Sequence, residues 1–495
     1  SRFCGQGSEA VPTPVEADVS DHGFRLFSDA QLAQIHDATL SILSRTGVRV
    51  LDGDALALLR EAGCEISDDR VRFPADLIEE ALARAPSGIT LCNRNGEPTV
   101  QLEGPRMAFG TGSDLPYTLD PATGQRRRSL LSDVADTARL ADSLPNLDFV
   151  MSMALPSDVA PATSDRHSFL AMISNTTKPL VFTAWDESGL SDIIAMAEAV
   201  AGDADGLAAS PFLLAYLEPS SPLQHSSEAL RKMLLMVDKG LPFVWAPGAV
   251  DGASAPVTPA GSLAMANAEI LSGLTIAQLR RPGAPVVYGS GSGPLDMRTT
   301  VAGYFSPEFM LHCRAMAELG QRLYHLPVWS FAGCSDAKLP DAQAGIESAL
   351  WILWTALSGA NLVHDAGYVE SGMTCSYEMI AICDETIGFV RRLLGGVELS
   401  PETLALDAID EVGPGGDFLT HEHTLRHYRE IWYPSLFDRG SYESWSEAGQ
   451  RSLAETAREA VREALVGHTP EPLPDTTLEV LREVVTAADG RAGVV

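Results

Sequence analysis

The chain has 495 residues, 45% of them hydrophobic and 20% charged, a globular composition with length for one large domain plus extensions or for two or three domains. A formal net charge of −31 gives a surface that repels phosphate backbones and anionic headgroups, so nucleic acid and membranes are poor partners. The cysteines (Cys4, Cys64, Cys92, Cys313, Cys334, Cys375 and Cys383) are odd in number and form no CxxC pair, which argues against a disulfide framework or a zinc ribbon and fits a reducing cytoplasm.

Residues 1–20 are small, acidic and Pro-containing, and read as a flexible arm with no apolar signal region. Residues 21–105 read as a helical N-terminal extension. Its helices are expected at Asp29 to Thr46, Gly53 to Ala62 and Pro74 to Ala85, followed by a hairpin turning at Asn95-Gly96.

From residue 106 to 398 one phrase recurs: a Pro, then four or five apolar, mostly β-branched or aromatic residues, then small or polar ones. It occurs as KPLVFTAW, SPFLLAYL, LPFVWAP, APVVYGS and LPVWSFAG, with the prolines at 179, 211, 242, 285 and 327. Pro is tolerated at the first residue of a strand, and continuous apolar runs mark strands buried on both faces. Each interval holds a helical pattern, so these are strand–helix units. The frame extends backward to strands at Met107 to Gly110 and Leu147 to Met153, and forward to Asn361 to Asp365. Eight parallel units predict an α/β fold, a TIM (β/α)8 barrel with helical N-terminal and C-terminal extensions, an open doubly wound sheet being the alternative. The most apolar stretch, Ala349 to Val363, is too short and interrupted to span a bilayer. Residues 399–495 read as a mainly helical C-terminal extension around a GPGGDFLT loop.

Barrel active sites lie at the C-terminal ends of the strands. That rule gathers Thr111 to Asp114, Met153, Trp185-Asp186, Tyr216 to Glu218, Trp245, Tyr288 to Ser290, Cys334 to Lys338, His364-Asp365 and Tyr368. The rim is rich in aromatics, with Trp329 and Phe331 on the seventh strand. Aromatic faces attract cations, worth about 0.5–2 kcal/mol each. Beside Glu218, Asp336 and Asp365 they predict a pocket for a positively charged small molecule, although any single ring could instead pack outward under the helices.

Other motifs are less specific. Lys338 could form a Schiff base, as in barrel aldolases, but it lies in a loop beyond the strand. Cys334 has no demonstrable His partner. In HEHTLRH, His423 and His427 share a helix face without a third ligand at recognisable spacing, and the segment reads as a structural helix. GPGGDF lacks the Lys-Ser/Thr of a phosphate loop.

GCSDAKLPDAQAG (333–345), NLVHDAGY (361–368) and GPGGDFLTHEHTLRHYRE (413–430) resemble the trimethylamine methyltransferase family, as do KPLVFT and FSDAQLAQIHDATLSILSRTGV (27–48). The similarity runs over nearly the whole chain from about residue 21. It implies a barrel enzyme that passes a methyl group from an amine to the Co(I) of a corrinoid (cobalamin) carried by a partner protein. The founding trimethylamine enzymes carry pyrrolysine near the loop after the seventh strand. Here Lys338, Leu339, Pro340, Asp341 and Gln343 fill that region, and members without pyrrolysine resemble glycine betaine and other quaternary-amine methyltransferases. A quaternary ammonium leaves as a neutral amine, so no acid or base is required; Asp336 and His364 are the candidates should one act.

On this reading Trp245, Tyr288, Phe331 and Tyr368 form the cation pocket, and Glu218 and Asp336 balance its charge. Lys338, Ser335, Thr111 or Ser113 meet a betaine carboxylate. His364, Gly333, Ser335 and Gly367 flank the corrinoid. No metal is expected within the enzyme itself, and the chain is expected to be cytoplasmic and to self-associate. The competing functions are a Schiff-base lyase or aldolase working through Lys338 and a non-catalytic betaine-binding protein.

Overall fold

The computed structural model describes residues 25–494; the arm expected at residues 1–20 lies outside them. At its centre is a parallel sheet of seven strands. In chain order they are β1 (Ala108–Thr111), β2 (Leu180–Phe182), β3 (Leu213–Leu217), β4 (Phe243–Trp245), β5 (Val286–Gly289), β6 (Val328–Phe331) and β7 (Leu362–Ala366). Their spatial order is β1-β7-β6-β5-β4-β3-β2, every pairing parallel. All but Tyr216 of the strand residues are buried, as continuous apolar runs require.

The sheet is curled and TIM-like. Both edges reach one short segment: Gly110 of β1 bridges Phe149, and Val150 bridges Leu180 of β2, both in parallel. The strand expected at Leu147 to Met153 is thereby reduced to two single bridges. Side-chain chemistry explains the loss. Thr111 Oγ1 accepts from the Met151 N–H (2.8 Å) and donates to its carbonyl (3.1 Å), replacing ladder bonds. Met153 then takes a left-handed φ of 53°, which no strand continues.

A helix follows each strand or bridge segment. They are α1 (Leu131–Ser143), α2 (Ser164–Asn175), α3 (Glu187–Ala201), α4 (Ser227–Lys239), α5 (Pro259–Arg280), α6 (Pro307–Glu318), α7 (Ala342–Ala356) and α8 (Tyr377–Leu394). Most start on a side-chain cap. Asp186, Ser226, Ser306, Asp341 and Ser376 each accept from backbone N–H groups of the first turn.

α5 is buried almost all round, because the N-terminal helices Asp29–Ser41 and Ala75–Arg84 pack over it. Asn267 Nδ2 on α5 donates to Thr39 Oγ1 (2.9 Å) and so pins that layer. At the other end of the chain, helix Leu453–Gly467 packs on α8 and α1, and helix Asp475–Ala492 packs on α3. No helix of the described residues is long and apolar enough to cross a membrane.

Candidate functional site

A cavity of about 390 Å³ opens where β1, β2 and β3 end. Tyr216 and Glu218 enter it from β3 and the residue after it. Two residues apart on one strand, they face the same side. Tyr216 Oη donates to Glu218 Oε1 at 2.5 Å. Glu218 is open to the cavity yet surrounded by protein, and this burial pushes its carboxyl up from the usual range. The Tyr216 hydrogen bond and the positive charge of Lys232 oppose that rise, and Asp114 adds to it.

Asp114 follows β1 with a left-handed φ of 61°. Its carboxylate accepts from Thr183 Oγ1 (2.7 Å) and Ser152 Oγ (3.0 Å). Burial pushes it up too. Lys232, on α4, lines the same cavity and donates from Nζ to the Ala184 carbonyl (2.7 Å). Trp185 forms an exposed lip, its Nε1 held by Ser164 Oγ at 2.8 Å.

Beside Tyr216 lies an aromatic wall. Its ring centroid is 5.2 Å from that of Trp329 and 6.0 Å from that of His364. Trp329 stacks on His364 at 4.2 Å, and Phe331 meets the same imidazole at 4.4 Å. Trp329 Nε1 is buried without a hydrogen-bond partner. His364 Nδ1 lies 2.6 Å from Asp365 Oδ1, but their directions do not form a hydrogen bond, and both imidazole nitrogens and both carboxylate oxygens are orphaned. Neighbouring strand residues normally face opposite sides. Here the pairing register shifts between Val363 and Ala366, and Asp365 takes a φ of 83°. This irregularity brings the two side chains together, and such strained, unsatisfied groups mark functional sites.

The structure brings Glu218, Phe331 and His364 of the expected residues to this region and sends others elsewhere. Trp245 and Tyr288 pair in register with Leu217 and Val328, on the outward face. Trp245 Nε1 donates to the Glu269 carbonyl of α5 (3.2 Å), and Tyr288 Oη to Asn267 Oδ1 (2.8 Å). Both rings are core under the helix layer. Tyr368 is a clamp: its hydroxyl accepts from the Ser113 N–H and donates to the Ser113 carbonyl, each at 2.5 Å. A Cβ on Gly112 would sit 2.2 Å from that ring, so glycine is required there.

Asp336 does not balance cavity charge. Its carboxylate accepts from the Tyr304 and Phe305 N–H groups (2.9 and 3.2 Å) and anchors the preceding loop. Ser335 is buried and donates to Glu347 Oε2 at 2.6 Å. Lys338 is exposed and donates to the Asp336 carbonyl at 2.6 Å, away from the cavity. Gly333 and Gly367 both have positive φ and are buried against neighbouring elements. A Cβ would meet Ala366 Cα at 3.0 Å in the first case and Ile380 Cγ1 at 2.3 Å in the second. They allow close packing and present no open surface. Thr111 is occupied by the Met151 backbone. Burial raises the Cys334 thiol well above its ordinary range, which suits an inert core cysteine.

Sequence reasoning passed over Lys232 and Tyr304 and gave Asp114 no role. Lys232 sits in an ordinary amphipathic helix and carries no signal of its own. Tyr304 is brought in by Asp336, and burial, with the Asp365 carboxylate second, pushes its hydroxyl upward. Asp114 was findable, as the only acidic residue at the end of the first strand.

A family model described as trimethylamine methyltransferase (MTTB) matches residues 8–490. The chain is 33% identical over 480 residues to the trimethylamine methyltransferase MttB of Desulfitobacterium hafniense strain DCB-2, covering 97% of each. It is 31% identical to the glycine betaine methyltransferase of Desulfitobacterium hafniense strain Y51, covering 94% of this chain and 98% of that one. Among solved structures, the monomethylamine methyltransferase MtmB of Methanosarcina barkeri superposes with a TM-score of 0.52 at 10% identity, over 92% of this chain and 90% of that one, a likeness of fold.

Proposed function

The chain belongs to the trimethylamine methyltransferase family, and from that premise we propose that it demethylates a quaternary amine, glycine betaine foremost, with a corrinoid protein as methyl acceptor. The observation that carries this reading is the cavity itself, where the Tyr216 ring lies beside the Glu218 and Asp114 carboxyls with Trp185 at the lip, and the buried Trp329, His364 and Phe331 rings adjoin Tyr216. Rings and carboxylates together suit a permanent cation that cannot donate a hydrogen bond. Ordinary residues at Lys338 to Gln343, where the founding trimethylamine enzymes carry pyrrolysine, favour a quaternary amine over trimethylamine. On the same reading, Phe149-Val150 counts as the second strand of an eight-unit barrel. The expected extensions at 21–105 and 399–495 then flank it in sequence.

The acceptor's requirements are compatible with this face. Trp185, Val257, Met297, Leu339 and Met373 are exposed apolar side chains on loops after strands of the sheet, and exposed Val301 lies on a short strand within the segment that follows β5. Apolar side chains clustered on one face suit a protein partner and a flat macrocycle. The Co(I) corrinoid supplies the nucleophile. The C–N bond breaks with its electron pair remaining on nitrogen, which leaves as a neutral tertiary amine, while the methyl carbon passes to cobalt.

The chain's own residues bind and align. The Tyr216 ring meets the trimethylammonium head, and the Glu218 and Asp114 carboxyls complement its charge in their ionised form until the bond breaks. Lys232, with Ser113 and Ser164 at the cavity wall, takes the betaine carboxylate in place of the distant Lys338. No residue is required to move a proton. Incubation with glycine betaine and a reduced corrinoid protein should release dimethylglycine in step with cobalt methylation. Release of no tertiary amine from any of several betaines would overturn the proposal.

A further inference from the structure

The C-terminal extension carries a cluster that the methyl-transfer site does not use. Helix Glu422–His427 presents His423 and His427 one turn apart, their ring centroids 4.4 Å from each other. Short helix Pro401–Leu404 brings Glu402 against them from about twenty residues upstream. One ligand atom from each of Glu402, His423 and His427 lies within 4.8 Å of the others. Sequence spacing supplied only the His pair; folding supplies the third ligand.

We propose that Glu402, His423 and His427 form a binding site for a divalent transition-metal ion of the zinc class, and that the ion staples the two short helices together. Two imidazoles and a carboxylate are a zinc-type donor set, with ligand distances of about 2.0–2.2 Å and a fourth position left to water. The ligand atoms are near enough to converge on one ion by side-chain rotation alone. His427 Nε2 already faces Glu402 Oε1 at 3.0 Å.

The surroundings supply a second, independent argument. His427 Nδ1 lies 2.8 Å from Glu430 Oε1. A carboxylate on the far nitrogen fixes the tautomer that presents Nε2 to a metal, the usual outer partner of a ligating histidine. Arg426 also contacts Glu402 Oε1, at 3.3 Å. It is exposed and can swing aside into water as the ion takes the carboxylate.

The local packing gives the ion something to do. Neither Pro401–Leu404 nor Glu422–His427 contains a buried residue. Apolar burial within these two helices therefore contributes little to joining them across the intervening helix Leu406–Val412, whose one buried residue is Ala408, and the Gly413 to Gly416 turn. Ligation supplies binding free energy to segments that lack a core of their own. The site stands apart from the cavity at the strand ends and does not depend on how methyl transfer proceeds.

The test uses the full chain, stripped with chelator and titrated with Zn2+ alone, then with Co2+ alone. One equivalent should bind per chain. His423→Ala, His427→Ala and Glu402→Gln should each weaken binding at least tenfold, and Glu430→Gln should weaken it less. All four residues are exposed or half-buried, so the variants should keep the parent's circular dichroism. Zn2+ should also slow proteolytic cleavage between residues 401 and 430 in the parent and leave the His423→Ala variant unaffected. Equal uptake by the parent and a His423→Ala/His427→Ala double variant, or no uptake by the parent, would overturn the site. Binding without slowed cleavage would overturn the staple.

Discussion

Tyr216 Oη donates to Glu218 Oε1 at 2.5 Å, and this bond favours the ionised carboxyl against the burial that disfavours it. The charge that would hold a substrate cation is therefore set by a phenol two residues away. Removing the donor in Tyr216→Phe should push the Glu218 carboxyl further up. A hydrogen bond to a charged group is worth about 1.5–3 kcal/mol, so the acid limb of the kcat/KM profile should move up by about one to two pH units. The sign follows from linkage: a higher pKa leaves less carboxylate at a given pH, and cation binding weakens. An unmoved limb would mean that Glu218 does not face the substrate.

Asp114 should act in the opposite direction. Its negative charge adds to the rise of Glu218, so Asp114→Asn should let Glu218 ionise more readily and shift the limb to lower pH. On the proposed reading the same variant also removes one of the two carboxyls beside the substrate cation, so KM at pH 8 should rise. Measured over pH 5–9, Tyr216→Phe and Asp114→Asn should shift the limb oppositely; shifts of the same sign would refute the assignment.

The two lysines separate cavity from loop. Lys232 lines the cavity, and Lys338 is exposed with its Nζ on the Asp336 carbonyl. Lys232→Met should raise KM for glycine betaine about tenfold, the loss of one charge-assisted hydrogen bond. It should leave binding of tetramethylammonium, which has no carboxylate, nearly unchanged. Lys338→Ala should change neither, and borohydride with a carbonyl compound should leave no adduct on it.

Ring orientation gives a fourth contrast. Trp329 stacks on His364 inside the sheet, and Trp245 packs against α5 outside it. Trp329→Leu should weaken substrate binding through the Tyr216 ring it packs against and, since Trp329 is as buried as Trp245, should also cost comparable stability. Trp245→Leu should lower stability by about 3 kcal/mol, as large-to-small core changes do, with KM unchanged. Calorimetry and a substrate titration on the same two variants decide it.

This contrast also marks what the sequence could reveal. The Pro-led apolar runs at 179, 211, 242, 285 and 327 each became a strand, because a strand buried on both faces needs no polar alternation. For the same reason such runs do not say which residues point inward. Trp245 and Tyr288 read like Tyr216 and Trp329, and only the pairing register separates them. Where alternation breaks, as at Asp365, even register does not suffice. Glu218 was legible as a carboxylate at a strand end. Lys232 was not, since it reaches the cavity from a helix whose pattern is that of any amphipathic helix.

Glu269 lies on α5 outside the candidate site, so it tests stability alone. It is buried, accepts from the Leu223 N–H (2.6 Å) and Ser221 Oγ (2.7 Å), and is pushed up to about 7 by burial. A carboxyl raised in the folded state binds its proton more tightly there than in the unfolded chain. Its contribution to stability is therefore fully present below about pH 4.5 and is lost as pH rises through about 7. The loss is on the order of 3 kcal/mol at alkaline pH. Glu269→Gln keeps an acceptor for the Leu223 N–H without the ionisation. It should therefore be more stable than the parent at pH 8 and similar to it near pH 5. Denaturant midpoints at the two pH values check this, and a variant weaker than the parent at pH 8 would show that the ionised carboxylate is the stabilising form.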